Sequence, residues 1–162
     1  IKEFGFDLIR YSRLKGTDKK SPAADSGTVI LGDTMGDLRK FYSLATVVFV
    51  GRSLVPMGGS DMIEAAALGK CTIFGPHTFN FAQSVEALLA EHGAIEVRDK
   101  DELLTALQKC LTDPDYARAI ARAGQNVIRK NQGATKKTIE QIARLLEQRQ
   151  KQPAQELTSS SP

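Results

Sequence analysis

The chain has 162 residues, 41% hydrophobic and 25% charged, with a formal net charge of +3. That composition suits one ordinary globular domain with a single core. The mild charge, with acidic residues among the basic ones, leaves no nucleic-acid footprint, no apolar run nears the ~20 residues of a membrane span, and no stretch of these residues is expected to be a signal peptide. Cys71 and Cys110 are far apart in sequence and lie in apolar contexts, so buried free thiols in a reducing compartment are expected. The chain opens at Ile1 rather than Met and is expected to be a piece of a longer protein, so the missing targeting segment says nothing of the parent.

In chain order, residues 6–11 (FDLIRY) read as a short strand, and the Lys-, Ser-, Asp- and Gly-rich stretch after it as a surface loop. TVILG (28–32) reads as a buried strand from its β-branched run, and DTMGDLRKFYSLA as a turn and helix with Leu38, Phe41, Tyr42 and Ala45 at helical spacing. TVVFVG (46–51) is a third strand, apolar throughout. A Gly-rich loop follows, then a helix over about 60–68 and a fourth strand, CTIFG (71–75). FNFAQSVEALLAEHG is a helix ended by Gly93 as its cap, with His92 in the last turn, and AIEV (94–97) is a fifth strand. From Asp99 onward three helical segments follow, and residues 153–162 form a polar tail expected to be disordered.

Strands alternating with helices, the central ones apolar on both faces, predict an α/β fold: a Rossmann-like parallel sheet with helices on both faces. The last helices lie outside the alternation and must pack on the sheet or reach another domain. One domain over 1–150 is expected, truncated at its start.

In such a sheet, ligands bind at the carboxyl ends of the strands. Three loops there are dense in small, polar and Gly residues: GDTMGDL, GRSLVPMGGSDMIE and GPHTFNF. GGSD before a helix can offer free N–H groups at a positive helix end to a phosphate, or can be a plain turn with Ser60 or Asp61 as N-cap. Glu64, one turn on, can accept hydrogen bonds from both hydroxyls of a ribose, or be a first-turn acid favoured by the dipole. Asp33 and Asp37 read as caps. Neither the dinucleotide fingerprint nor a Walker loop is present, which removes support for NAD and ATP. His77 follows a strand in a Pro-containing loop and can contact a ligand, but without a second His or a Cys beside it makes no metal site. Arg52 can pair with an anion or be simply solvated.

Taken together, VILGDTMGDLRKFYSLATVVFVG, SLVPMGGSDMIEAAALGK and FGPHTFNFAQSVEALL resemble the carboxyl-terminal half of the bacterial 3-deoxy-D-manno-octulosonic acid (Kdo) transferases, whose pattern is GDTMGEL, SLV-x-x-GGHNPLE-x-A and GPHTFNF in this order. The likeness runs from about residue 9 to residue 146. It implies the donor domain of a GT-B glycosyltransferase, inverting and metal-independent, with no cofactor, that moves Kdo from CMP-Kdo to lipid A precursor in lipopolysaccharide biosynthesis. By that resemblance Thr34, Met35 and Gly36 line the donor pocket. Ser53, Gly58, Gly59 and Ser60 offer N–H groups to the CMP phosphate with Asp61 beside them. Glu64 holds the ribose, and Arg52, His77 and Asn80 border the cleft.

Two departures from the family pattern stand out. Its His-Asn is Ser60-Asp61 here, and its Pro-Leu-Glu-Pro is Met62-Ile63-Glu64-Ala65; Arg52 also stands where the resemblance implies a Gly in many relatives. The family's catalytic base, membrane anchor and acceptor site belong to an amino-terminal domain, so no catalytic residue is expected in this chain, the fragment alone is expected to be inactive, and membrane contact is expected only through the missing part. The parent is expected at the cytoplasmic face of the bacterial inner membrane, with this fragment soluble. Two alternatives remain: a GT-B donor domain for a UDP-sugar, and a non-catalytic binding module of the same fold.

Overall fold

A computed structural model describes residues 1–14, 27–131 and 134–151. The expected surface loop, from Lys15 to Ser26, and the expected tail lie outside the described residues. Among the described residues there are five strands, each in a parallel ladder: β1 (Asp7–Arg10), β2 (Thr28–Leu31), β3 (Val47–Val50), β4 (Cys71–Phe74) and β5 (Ile95–Glu96). Six helices accompany them: α1 (Leu38–Leu44), α2 (Ile63–Ala67), α3 (Ala82–Ala90), α4 (Lys100–Thr112), α5 (Pro114–Asn131) and α6 (Ala134–Lys151).

The strands form two parallel sheets rather than one. β1 pairs with β2 from Asp7↔Thr28 to Arg10↔Leu31, and the second sheet runs β3-β4-β5 with Val47↔Cys71 and Ile73↔Ile95 in register. The expectation of central strands buried on both faces holds for β4 alone, whose four residues are all buried. β4 has a strand on each side and α2, α4 and α5 packed against it. β2 is richer in β-branched residues but has only β1 as a ladder partner, and Ile30 remains 49% exposed. In β3, Val48 and Val50 turn inward while Phe49 faces out, the alternation of a half-covered strand.

α1 connects the two sheets. The Phe41 ring meets Tyr11 edge-on at 4.8 Å and lies over Gly32 at the end of β2, while Tyr42 and Ala45 pack on the core cluster formed by Val48, Val50, Met62, Ala65, Phe74 and Leu88. A second cluster holds Cys71, Ile73, Val97, Cys110 and Ile120. Both cysteines are free and buried, as expected, with their sulfurs 3.5 Å apart.

The helix ends differ from the sequence reading. α2 has five residues, and Gly69 closes it at φ 66°, with the Gly69 and Lys70 N–H groups donating to Ala66 and Ala65 carbonyls. This is the paired bonding of a Schellman end. α3 closes the same way, but the left-handed residue is His92 (φ 53°), while Gly93 donates to the Leu88 carbonyl. Gly93 is needed for a different reason: a Cβ there would lie 2.6 Å from the Cα of Gly124 in α5. α4 begins at Asp99, whose carboxylate accepts the N–H groups of Asp101 and Glu102, a standard N-cap.

Candidate functional site

The loops that leave β3 and β4 are joined by hydrogen bonds. Ser53 is fully buried, and its hydroxyl donates to the Val50 carbonyl at 2.5 Å while accepting the Gly75 N–H at 2.8 Å. The Ser53 carbonyl accepts the His77 N–H at 2.9 Å. The side chain is therefore committed to the scaffold, and the role left to it is holding two loops in register.

Gly58 and Gly59 are buried and left-handed, at φ 83° and 74°. A Cβ on Gly58 would fall 2.2 Å from Asn80 Nδ2 and 2.9 Å from the Phe79 ring, and one on Gly59 would come within 3.2 Å of the His77 carbonyl oxygen. The glycine pair is thus required by the close passage of the GPHTFNF loop, apart from any ligand. Gly59 donates its N–H to the Arg52 carbonyl at 3.2 Å. The turn can offer the N–H groups of Gly58 and Ser60 to an anion, but not that of Gly59.

The anticipated helix end does not follow the turn directly. α2 begins at Ile63, and Asp61 Oδ1 accepts the Ile63 N–H at 2.7 Å. A five-residue helix with that position filled gives little dipole for a phosphate. Glu64, the second residue of α2, is half-buried, and its carboxylate has no hydrogen-bond or ion-pair partner among the described residues. Tyr42 of α1 faces it. Burial first, then the charges of Glu64 and Asp61, hold the Tyr42 phenol above its ordinary pKa. In the sequence Tyr42 reads only as a helix-face residue, and its neighbours Phe41 and Ser43 carry no signal of the carboxylates that the fold brings near it.

In the loop after β2, neither aspartate caps a helix. Asp33 accepts the Ser12 N–H and hydroxyl, each at 2.8 Å, with Arg10 at 3.5 Å, and these bonds, the backbone one foremost, hold its carboxyl below the usual range. Asp37 occupies the N-cap position of α1 without capping it; it is buried, accepts the Thr34 hydroxyl at 2.7 Å and pairs with Lys40 at 2.8 Å. That hydrogen-bonded pair raises the Lys40 pKa. Thr34 is thereby oriented inward, Met35 is 96% exposed, and Gly36 (φ 81°) has open space where a Cβ would stand.

The fold therefore brings Arg52, Ser53, Gly58, Gly59, His77 and Asn80 together, with Ser60, Asp61 and Glu64 continuing from them. Among the described residues no hydrogen bond ties Thr34–Gly36 to that pair of loops. A shallow cavity of about 300 Å³ opens along Phe79–Ser84. A groove of about 600 Å³ adjoins it at Gln83 and Ser84 and is lined also by Ile63, Ala67, Ala87, Val127 and Ile128.

A family model described as glycosyl transferase-like matches residues 35–144. The chain belongs to this glycosyl transferase-like family. It is 33% identical over 130 residues to a 3-deoxy-D-manno-octulosonic acid transferase of Bordetella pertussis, covering 80% of this chain and 30% of that protein. It is 35% identical over 120 residues to the enzyme of the same name from Haemophilus influenzae, covering 74% and 28%. The chain thus spans less than a third of the length of these curated relatives. Among solved structures it resembles the C-terminal CMP-Kdo binding domain of WaaA from Acinetobacter baumannii, with a TM-score of 0.69 at 27% identity, over 78% of this chain and 63% of that one. No helix among the described residues is long and apolar enough to cross a membrane.

Proposed function

We propose that this glycosyl transferase-like chain is the donor-binding portion of an enzyme that transfers Kdo from CMP-Kdo to lipid A precursor in lipopolysaccharide biosynthesis. The observation that carries this reading is the likeness, at a TM-score of 0.69, to a domain described as binding CMP-Kdo. The loop geometry agrees with it. A rigid pair of loops at the carboxyl edge of β3 and β4 leaves Gly58 and Ser60 N–H groups available, and a half-buried, unpaired carboxylate, Glu64, follows one turn later. N–H groups at such a place would stabilise the negative charge on the departing CMP phosphate. A carboxylate such as Glu64 would bind the ribose hydroxyls.

In this account the transfer inverts the anomeric centre and uses no metal or cofactor. The base that deprotonates the acceptor hydroxyl is supplied by residues outside this chain. The acceptor and membrane contacts belong there too, at the cytoplasmic face of the inner membrane. Calorimetric titration with CMP and with UDP tests the donor assignment. CMP binding without UDP binding is expected. UDP binding without CMP would assign the fold to a UDP-sugar transferase, and binding of neither would make the chain a non-catalytic module.

A further inference from the structure

Arg52 is the first residue but one after β3, and it adopts a left-handed backbone at φ 63°. Branched and long side chains avoid that region, and where they hold it the surrounding structure must impose it. The imposing contact is the Gly59 N–H donated to the Arg52 carbonyl, which fixes Arg52 beside the glycine turn. The side chain is exposed. Its one hydrogen bond is a long one, Nη2 to the Met57 carbonyl at 3.4 Å, and it makes no ion pair among the described residues. Most of a five-donor guanidinium is therefore uncommitted.

The charge inventory of the three strand-end loops makes this placement informative. Residues 32–37, 51–61 and 75–81 contain one Lys or Arg in all, which is Arg52, against Asp33, Asp37 and Asp61. Asp37 already has Lys40, and Asp33 has Ser12 and Arg10. Asp61, whose carboxylate is bonded to the Ile63 N–H, has no cation paired with it among the described residues. A phosphate brought to the Gly58–Ser60 turn would meet that like charge with no short helix dipole to offset it, and Arg52 is the cation within the same turn.

We infer that Arg52 is a phosphate-binding residue of this site, taking the anionic phosphate of the nucleotide with its planar pair of N–H donors and offsetting Asp61. Guanidinium suits phosphate because two parallel charge-assisted bonds can form at once. The inference rests on the donor-binding reading above.

The test is titration of wild type, Arg52→Gln and Arg52→Lys with CMP and with cytidine, which lacks the phosphate. Wild type should bind CMP more tightly than cytidine. Arg52→Gln should lose roughly tenfold in CMP affinity, the scale of one charged hydrogen bond, and leave cytidine unchanged. Arg52→Lys should recover part of the CMP affinity. Unchanged CMP affinity in Arg52→Gln, or equal losses for CMP and cytidine, would overturn the assignment while leaving the donor-binding reading in place. Failure of wild type to bind either ligand would overturn both.

Discussion

Ser53 Oγ accepts the main-chain N–H of Gly75 at 2.8 Å from inside the protein, joining the loop after β3 to the loop after β4. Gly75 in turn has no room for a side chain, since a Cβ would lie 2.4 Å from the Ser53 carbonyl oxygen. Ser53→Ala removes the hydroxyl and leaves a buried N–H without its acceptor. Unfolding in urea should show a loss of roughly 1–3 kcal/mol. A loss within error of zero would mean that another acceptor replaces Ser53.

Gly124 sits in the middle of α5, where Ala would ordinarily stabilise a helix by roughly 1 kcal/mol. Here a Cβ would fall 2.4 Å from the Gly93 carbonyl oxygen. The obstruction is backbone, so no rotamer change relieves it, and overpacking of this kind costs roughly 1–3 kcal/mol. Gly124→Ala should therefore lower the thermal midpoint. A raised midpoint would show that α3 and α5 separate easily.

Burial, and then the hydrogen bond and charge of Cys110, hold the Cys71 thiol well above its ordinary pKa of 9.0. The folded protein keeps this proton at a pH where an unfolded thiol has lost it. The resulting stability is complete below about pH 9 and falls as pH rises through the folded value. Cys71 should not react with a thiol reagent in mildly alkaline buffer until denaturant is added, because the thiolate is the reactive form, and Cys110 is shielded by its burial. Rapid labelling of the native protein would contradict the burial of this pair.

The left-handed backbone at Arg52 stores strain that glycine would not. Arg52→Gly should raise stability by roughly 1 kcal/mol in chemical denaturation, while CMP affinity falls. A variant that is no more stable would show that the φ of 63° is not strained in this setting.

The sequence made the three loops legible because Gly, Pro and small polar residues cluster where strands end, and CTIF was correctly read as a strand. β2 misled because a β-branched run reports what a strand can bury and not how many neighbours it has. α2 was read three residues too long at its start. The Ala-rich stretch favours helix, but Gly58 and Gly59 turn the chain with positive φ and Asp61 takes the Ile63 N–H, which delays the helix to Ile63. The left-handed conformation of Arg52 left no compositional trace, since a long side chain does not mark a residue for φ above zero, whereas His92 is of a type enriched there. Asp33 and Asp37 looked like caps because they precede a helix; Asp33 instead takes Ser12 from a distant segment, and Asp37 takes Lys40, one turn on in α1.

The central claim is that a CMP moiety sits on the Gly58–Ser60 turn beside Glu64. A backbone amide spectrum of the chain recorded with increasing CMP tests it most directly, with Glu64→Ala alongside. The account predicts that the amides of Arg52, Gly58, Gly59, Ser60 and Glu64 shift while those of α4 stay fixed, and that Glu64→Ala weakens binding by the roughly 1.5–3 kcal/mol of a charged hydrogen bond. Shifts confined to other surfaces, no shifts at saturating CMP, or full affinity in Glu64→Ala would contradict it.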